Sequence, residues 1–298
     1  MNIDWQPHRI ERLPQPANDV RLAIADDGTC FSLFRRHDSA KIWSLWSSEQ
    51  GYCADLSLPE DLKFPIFSPM PNHGVLVANG LCQWIDGEAP GLNAHLFDAN
   101  GKVLDSFHAG SSIMDIQVDS EARIWISYFD EGVFGNHGWN GPGPAGLGSG
   151  GIVCLDIAGR VLWQHNRADA ERFIDDCYAL NVIGSKAWFY FYSDFCLGQI
   201  GPGFTTTYSE VPLRGSHAFA TDGKIFVFSA QYREDPTLCH LAVLGPEGMK
   251  TRTNIRLVLP KDVALDPRTT LIKARGEWLH LFRAGIWVAY HLGDLPNV

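Results

Sequence analysis

Leu96 to Gly110 reads LFDANGKVLDSFHAG, and Cys154 to Asn166 reads CLDIAGRVLWQHN. Both place an apolar strand before an Asp, then a Gly at a tight turn, a basic residue, and a Val-Leu pair that opens a return strand. That order is the pattern of a β-hairpin. A hairpin of this size cannot bury its own faces and needs neighbours like itself. The near-repetition therefore points to stacked blades or coils.

Weaker copies run along the whole chain. Val20 to Ala25 leads through Asp26, Asp27 and Gly28 into Cys30 to Phe34, and Lys41 to Trp46 follows as a third strand. A second copy runs Gly74 to Ala78, Ala94 to Phe97 and Val103 to Phe107. The third opens with Ile113 to Val118, turns at Asp119 to Ala122, and continues through Arg123 to Phe129, Gly151 to Leu155 and Val161 to Gln164. Cys177 to Ile183, Ala218 to Thr221 and Thr270 to Ala274 open the others. The mean spacing is about 50 residues, the period of four-stranded propeller blades. The expectation is an all-β, six-bladed β-propeller with four-stranded antiparallel blades, a single domain over residues 1–298. The last copy is one strand short, and His8 to Leu13 has no other partner, so the N-terminal strand is expected to close the last blade. Pro65, Pro69 and Pro71 make the second blade the hardest to read, since proline interrupts a central strand.

IMDIQVDSEARIWISYF, Ile113 to Phe129, resembles the strand-turn-strand of six-bladed propellers of the NHL and SMP-30/gluconolactonase type. That resemblance implies the propeller fold. Those families usually carry Gly where this chain has Ala122. The lactonases among them hold a divalent metal on a central set that begins with a Glu on the first inner strand. Here that strand reads VRLAIA, without Glu, so no ligand position carries over from the resemblance.

Composition supports one large core. Of the 298 residues, 45% are hydrophobic and 12% aromatic, with ten Trp and seventeen Phe, against 19% charged; disordered chains have the reverse balance. The formal net charge is −10, and Lys and Arg form no run, which argues against nucleic acid and anionic membranes as partners. Met1 to Pro16 has no apolar core of signal-peptide length, and no run approaches ~18 apolar residues, so a cytoplasmic protein is expected. Seven cysteines stand singly and never as CxxC, as reduced core thiols do. No helical dimer face is visible, and a monomer is expected.

Propeller ligands sit at a channel mouth, on loops inserted between strands. The largest insertion is DEGVFGNHGWNGPGPAGLGSG, residues 130–150 in the third blade. It offers Asp130, Glu131 and His137 as acid/base groups or metal ligands and Phe134 and Trp139 as an aromatic wall. The alternative is a surface excursion that covers the blade's side. Asp115, on the third inner strand, would be costly to bury unpaired and is expected to face the channel or to cap a neighbouring backbone amide. Asp176 and Tyr178 open the fourth blade, on one face by strict alternation with Leu180, while Cys177, Ala179 and Asn181 take the other. His217 stands where the fifth inner strand begins. The aromatic run Trp188 to Phe195 reads mainly as packing between blades.

These residues describe an acidic mouth with imidazole. Two functions follow: a rigid binding module for a small polar ligand, peptide or protein, and a metal-assisted, lactonase-like hydrolase. The second requires a divalent cation (Ca, Mg, Mn or Zn), with Asp115, Asp130 and Glu131 as candidate ligands. No GxSxG elbow supports a serine hydrolase and no phosphate-binding loop supports a nucleotide.

Overall fold

The computed structural model describes residues 2–13, 20–39, 41–59, 62–166, 171–231, 234–261, 263–266 and 270–296. Residues 14–16 of the N-terminal segment lie outside them, as do both chain ends. Among the described residues six sheets, each built on four antiparallel strands, form a ring. From the channel outward, blade 1 holds Val20–Ile24, Cys30–Arg35, Ile42–Ser47 and Gly51–Ser57. Blade 2 holds Pro65–Pro69, Val75–Asn79, Ala94–Phe97 and Val103–Phe107, and blade 3 Ile113–Val118, Ile124–Tyr128, Ile152–Leu155 and Val161–Gln164. Blade 4 is Asp176–Ile183, Lys186–Tyr192, Cys196–Ile200 and Thr206–Glu210; blade 5 is Phe219–Thr221, Ile225–Phe228, Leu238–Gly245 and Gly248–Leu257. Blade 6 has Leu271–Arg275, Trp278–Arg283 and Ile286–His291, completed by Arg9–Arg12 antiparallel to Ile286–His291. The N-terminal segment therefore closes the ring as its sequence suggests. It does one thing more: Ile3–Trp5 adds in parallel to the outer edge of blade 5.

The repeated phrase is the outer hairpin of blades 2 and 3, and its chemistry is visible at the turn. Asp98 Oδ1 accepts the N–H groups of Asn100 and Lys102, both at 2.9 Å, and Asp156 Oδ1 those of Ala158 and Arg160 at the same distance. Asp119 repeats the arrangement with Glu121 and Arg123 in the inner hairpin of blade 3. One carboxylate thus satisfies two turn amides, as Asp does in its local turns.

Pro65 and Pro69 bound the inner strand of blade 2 and do not disrupt it, so that blade opens earlier than the Gly74 to Ala78 reading. An inner strand pairs on one side only, and proline is tolerated on such an edge. The aromatic run packs between blades on both of its faces. Phe189 and Phe191 meet Trp125 and Cys154 of blade 3, while Trp188 and Tyr190 meet Phe226 and Phe228 of blade 5. All seven cysteines are free thiols, and six of them are buried. No helix among the described residues is long and apolar enough to cross a membrane.

Candidate functional site: a channel closed at one end

Each inner strand leaves one row of backbone N–H and C=O groups facing the channel, and such groups need partners. Side chains from neighbouring blades supply them. Ser68 Oγ accepts Val118 N–H at 3.1 Å, joining blades 2 and 3. Gln117 accepts Val182 N–H at 2.9 Å and donates to Leu180 O at 2.8 Å and Ala274 O at 3.3 Å. Asn181 donates to Phe219 O at 2.7 Å and accepts Gly276 N–H at 2.7 Å, tying blade 4 to blades 5 and 6. Arg275, only 3% exposed, donates to Asp26, to Ile24 O and across the axis to Val118 O. These side chains fill the end of the channel where the inner strands finish.

The end where the inner strands begin is open. A cavity of about 260 Å³ lies there among Arg21, Phe64, Ile66, Phe129, Leu271 and Lys273. A second, of about 160 Å³, adjoins it along Ile272 and Lys273 and is lined by Met114, Asp115, Tyr178 and His217. Lys273 Nζ donates to Asp115 Oδ1 at 2.7 Å, and Gln117 to Asp115 Oδ2 at 3.1 Å, so the carboxylate that sequence placed in the channel is paired there. Tyr178 and His217 stack with ring centroids 4.9 Å apart. Desolvation in this recess holds His217 below the usual imidazole pKa.

Two β-bulges build this lining. Pairing slips by one residue between Ile113 and Asp115 and again between Cys177 and Ala179. The slips place Met114 and Tyr178 as extra residues, and both line the cavity. They also correct the strict alternation expected for blade 4. Leu180 joins Cys177 in the core against blade 3, and Ala179 turns toward blade 5. Burial pushes the Cys177 thiol far up, which disfavours its thiolate.

The 130–150 insertion connects the second and third strands of blade 3, and so lies on the open face. It starts with a short helix, Asp130–Phe134, and ends with a 3-10 turn, Leu147–Gly150. It packs on the corresponding connection of blade 2: Trp139 Nε1 donates to Cys82 O at 2.7 Å, and Trp84 N–H to His137 O at 2.9 Å. Trp139 is buried and stacked on His108, so it anchors the insertion and forms no wall of the mouth. Phe134 and His137 are exposed on this cap, and Glu131 accepts Asn136 Nδ2 at 2.7 Å.

Asp176 stands at the rim, with Oδ1 buried and unpartnered. Burial pushes its pKa up to about 6, and the charge of Asp130 adds to the shift. The structure therefore gathers Asp115, Tyr178 and His217 in one cavity and couples Asp176 to Asp130, while Glu131 and His137 sit on the cap. Among the described residues no three His, Cys, Asp or Glu side chains gather as a metal site. Lys273 and Arg21 are the lining groups that sequence reading missed. The signal for Lys273 was slight: in Leu271–Arg275 (LIKAR), Lys273 and Arg275 alternate between apolar neighbours, so two cations share one inner strand.

No family model matches the sequence, and no curated protein matches it. Solved structures do. Streptogramin B lyase is similar with a TM-score of 0.55 at 11% identity, over 93% of this chain and 80% of that one. Virginiamycin B lyase from Staphylococcus aureus gives 0.51 at 9% identity, over 95% and 98%. The WD40 domain of Pan2 from Neurospora crassa gives 0.50 at 11% identity, over 100% and 96%. At such identity the likeness establishes the propeller fold, a fold shared by lyases and WD40 domains alike.

Proposed function

We propose that this protein is a binding module that takes a small amphipathic ligand, or one side chain of a partner, into the open end of its channel. The observation that carries the reading is the asymmetry of the channel. Arg275, Gln117 and Asn181 fill one end, while the other opens over the Asp115–Lys273 pair. A blind recess with apolar walls and a few convergent polar groups is the form ligand sites take. Phe64, Ile66 and Leu271 would hold an apolar body, and the ion pair with the Tyr178–His217 stack would orient a polar end. The mouth carries Arg21 and Lys273 beside its carboxylates, so it suits a ligand with charges of both signs better than a purely basic one.

A library of small metabolites screened by melting temperature tests this, because a ligand of the folded state alone raises stability by mass action. The expected result is a saturable hit that weakens about tenfold or more in Lys273→Ala. A hit indifferent to Lys273→Ala and Asp115→Asn would overturn the assignment to the channel. The Asp176–Asp130 coupling keeps a metal-assisted hydrolase as the second reading. A calcium, magnesium, manganese or zinc shift on chelated protein, lost in Asp130→Asn, would favour it over the first.

A further inference from the structure

The face opposite the mouth carries two cavities, the first of which shares Val118 and Arg275 with the closed end of the channel. One, of about 330 Å³, opens between blades 1 and 2, with Phe31, Pro69, Met70 and Pro71 along it. The other, of about 340 Å³, opens between blades 6 and 1, with His8, Arg9, Trp278 and Trp287. Asp27, Thr29 and Glu49 line both. The two hollows therefore meet on one ridge, made by the first turn of blade 1 and the turn that carries Glu49, and together form a trough with an acidic middle.

The trough is built firmly. Gly28 lies against Trp278 so closely that a Cβ there would stand 2.2 Å from the indole, which locks the turn to the aromatic wall. Asp27 is exposed and spends one carboxylate oxygen on Thr29 N–H at 2.9 Å. Asp26 is committed to Arg275. The protein's own Arg9 shows what this ground accepts: its guanidinium lies 5.4 Å over the Trp287 ring and is clamped by Glu11 and Glu49. Tryptophan faces and carboxylates together are a cation-binding combination. The chain's net charge of −10 draws cationic partners toward it.

We propose that this trough docks an extended segment of a partner protein. An arginine or lysine of that segment lies over Asp27, beside the Glu49 that already holds Arg9, and a large apolar side chain on each side of it enters one of the two cavities. Charge complementarity at the ridge sets the choice of segment, and the flanking hollows supply the buried area.

The test is an array of capped heptapeptides with Trp, Phe or Leu at the second and sixth positions and Arg, Lys, Ala or Glu at the centre. It is probed with the full chain, and hits are confirmed by fluorescence anisotropy. Arg- and Lys-centred peptides should bind about tenfold or more tightly than Glu-centred ones, and binding should weaken with salt. Asp27→Lys should abolish the preference. Asp27→Asn, which keeps the Thr29 cap, should reduce it without a change in melting temperature. Lys273→Ala, at the opposite mouth, should leave peptide affinity unchanged. No preference at the central position, or affinity indifferent to both Asp27 variants, would overturn the proposal. A loss in Lys273→Ala as large as in Asp27→Lys would overturn it in favour of peptide capture at the mouth.

Discussion

At Ala122 the backbone takes φ +61°, in the slot where Gly101 (+80°) and Gly159 (+75°) stand in the sister hairpins. The turn geometry is the same in all three, with the fourth residue donating to the Asp carbonyl at 3.0 Å. A side chain in that left-handed conformation costs about 1–2 kcal/mol, while glycine adds unfolded-state entropy worth about half of that. Ala122→Gly is accordingly expected to stabilise the protein by up to about 1 kcal/mol, read as a raised urea midpoint with an unchanged slope. A lowered midpoint would mean that the Ala122 methyl, which packs against the core of blades 2 and 3, outweighs the backbone strain. The substitution was foreseeable from sequence, because Asp, turn residue and basic residue recur at fixed short offsets and act on one another locally. Asp119 shows the limit of that reading. Its second carboxylate oxygen also accepts from Arg123 Nε at 2.7 Å and Trp125 Nε1 at 3.0 Å, and the residue is fully buried.

Among elements, the inner strands were the least legible and the most consequential. Their hairpin signals were clear where an Asp-Gly turn followed, yet Pro65–Pro69 read as an interruption, since sequence cannot show that a strand has a free edge. The bulges at Met114 and Tyr178 were equally hidden, because a one-residue slip is set by the partner strand and by closure of the ring. Asn181 tests how much the inner edges depend on their lacing. It is fully buried, and Asn181→Leu leaves Gly276 N–H and Phe219 O without their side-chain partner. The expected loss is about 3 kcal/mol in chemical denaturation. A loss below about 1 kcal/mol would mean that water replaces the amide, and that the ring holds by apolar packing between blades alone.

For the whole molecule, buried histidines set the response to acid. Burial alone pushes His280 down to about 3, with both ring nitrogens unpartnered, and desolvation also lowers His95, His108, His165 and His217. A base with a depressed pKa binds fewer protons when folded than when unfolded. Stability is therefore complete above about pH 6.5 and falls as the pH drops below it, by at most about 1.4 kcal/mol per unit for each such histidine. Asp176, whose raised pKa gives the opposite sign between about pH 4 and 6, offsets part of one histidine's effect. Melting temperatures should therefore decline steadily from pH 7 to pH 4.5, and His280→Phe should flatten the decline if the variant folds. An unchanged slope in His280→Phe would assign the acid response to the other histidines.

The sequence by itself determined the blade hairpins, their number and the closing strand, because these rest on alternation, turn residues and spacing within one repeat. The tertiary structure alone decided the site. Lys273 meets Asp115 across 158 positions, Gln117 reaches Leu180 across 63, and Arg275 reaches Asp26 across 249. Those encounters exist only once six inner strands converge on one axis. No local pattern encodes which polar side chains will face one another there, or which end of the channel they will close.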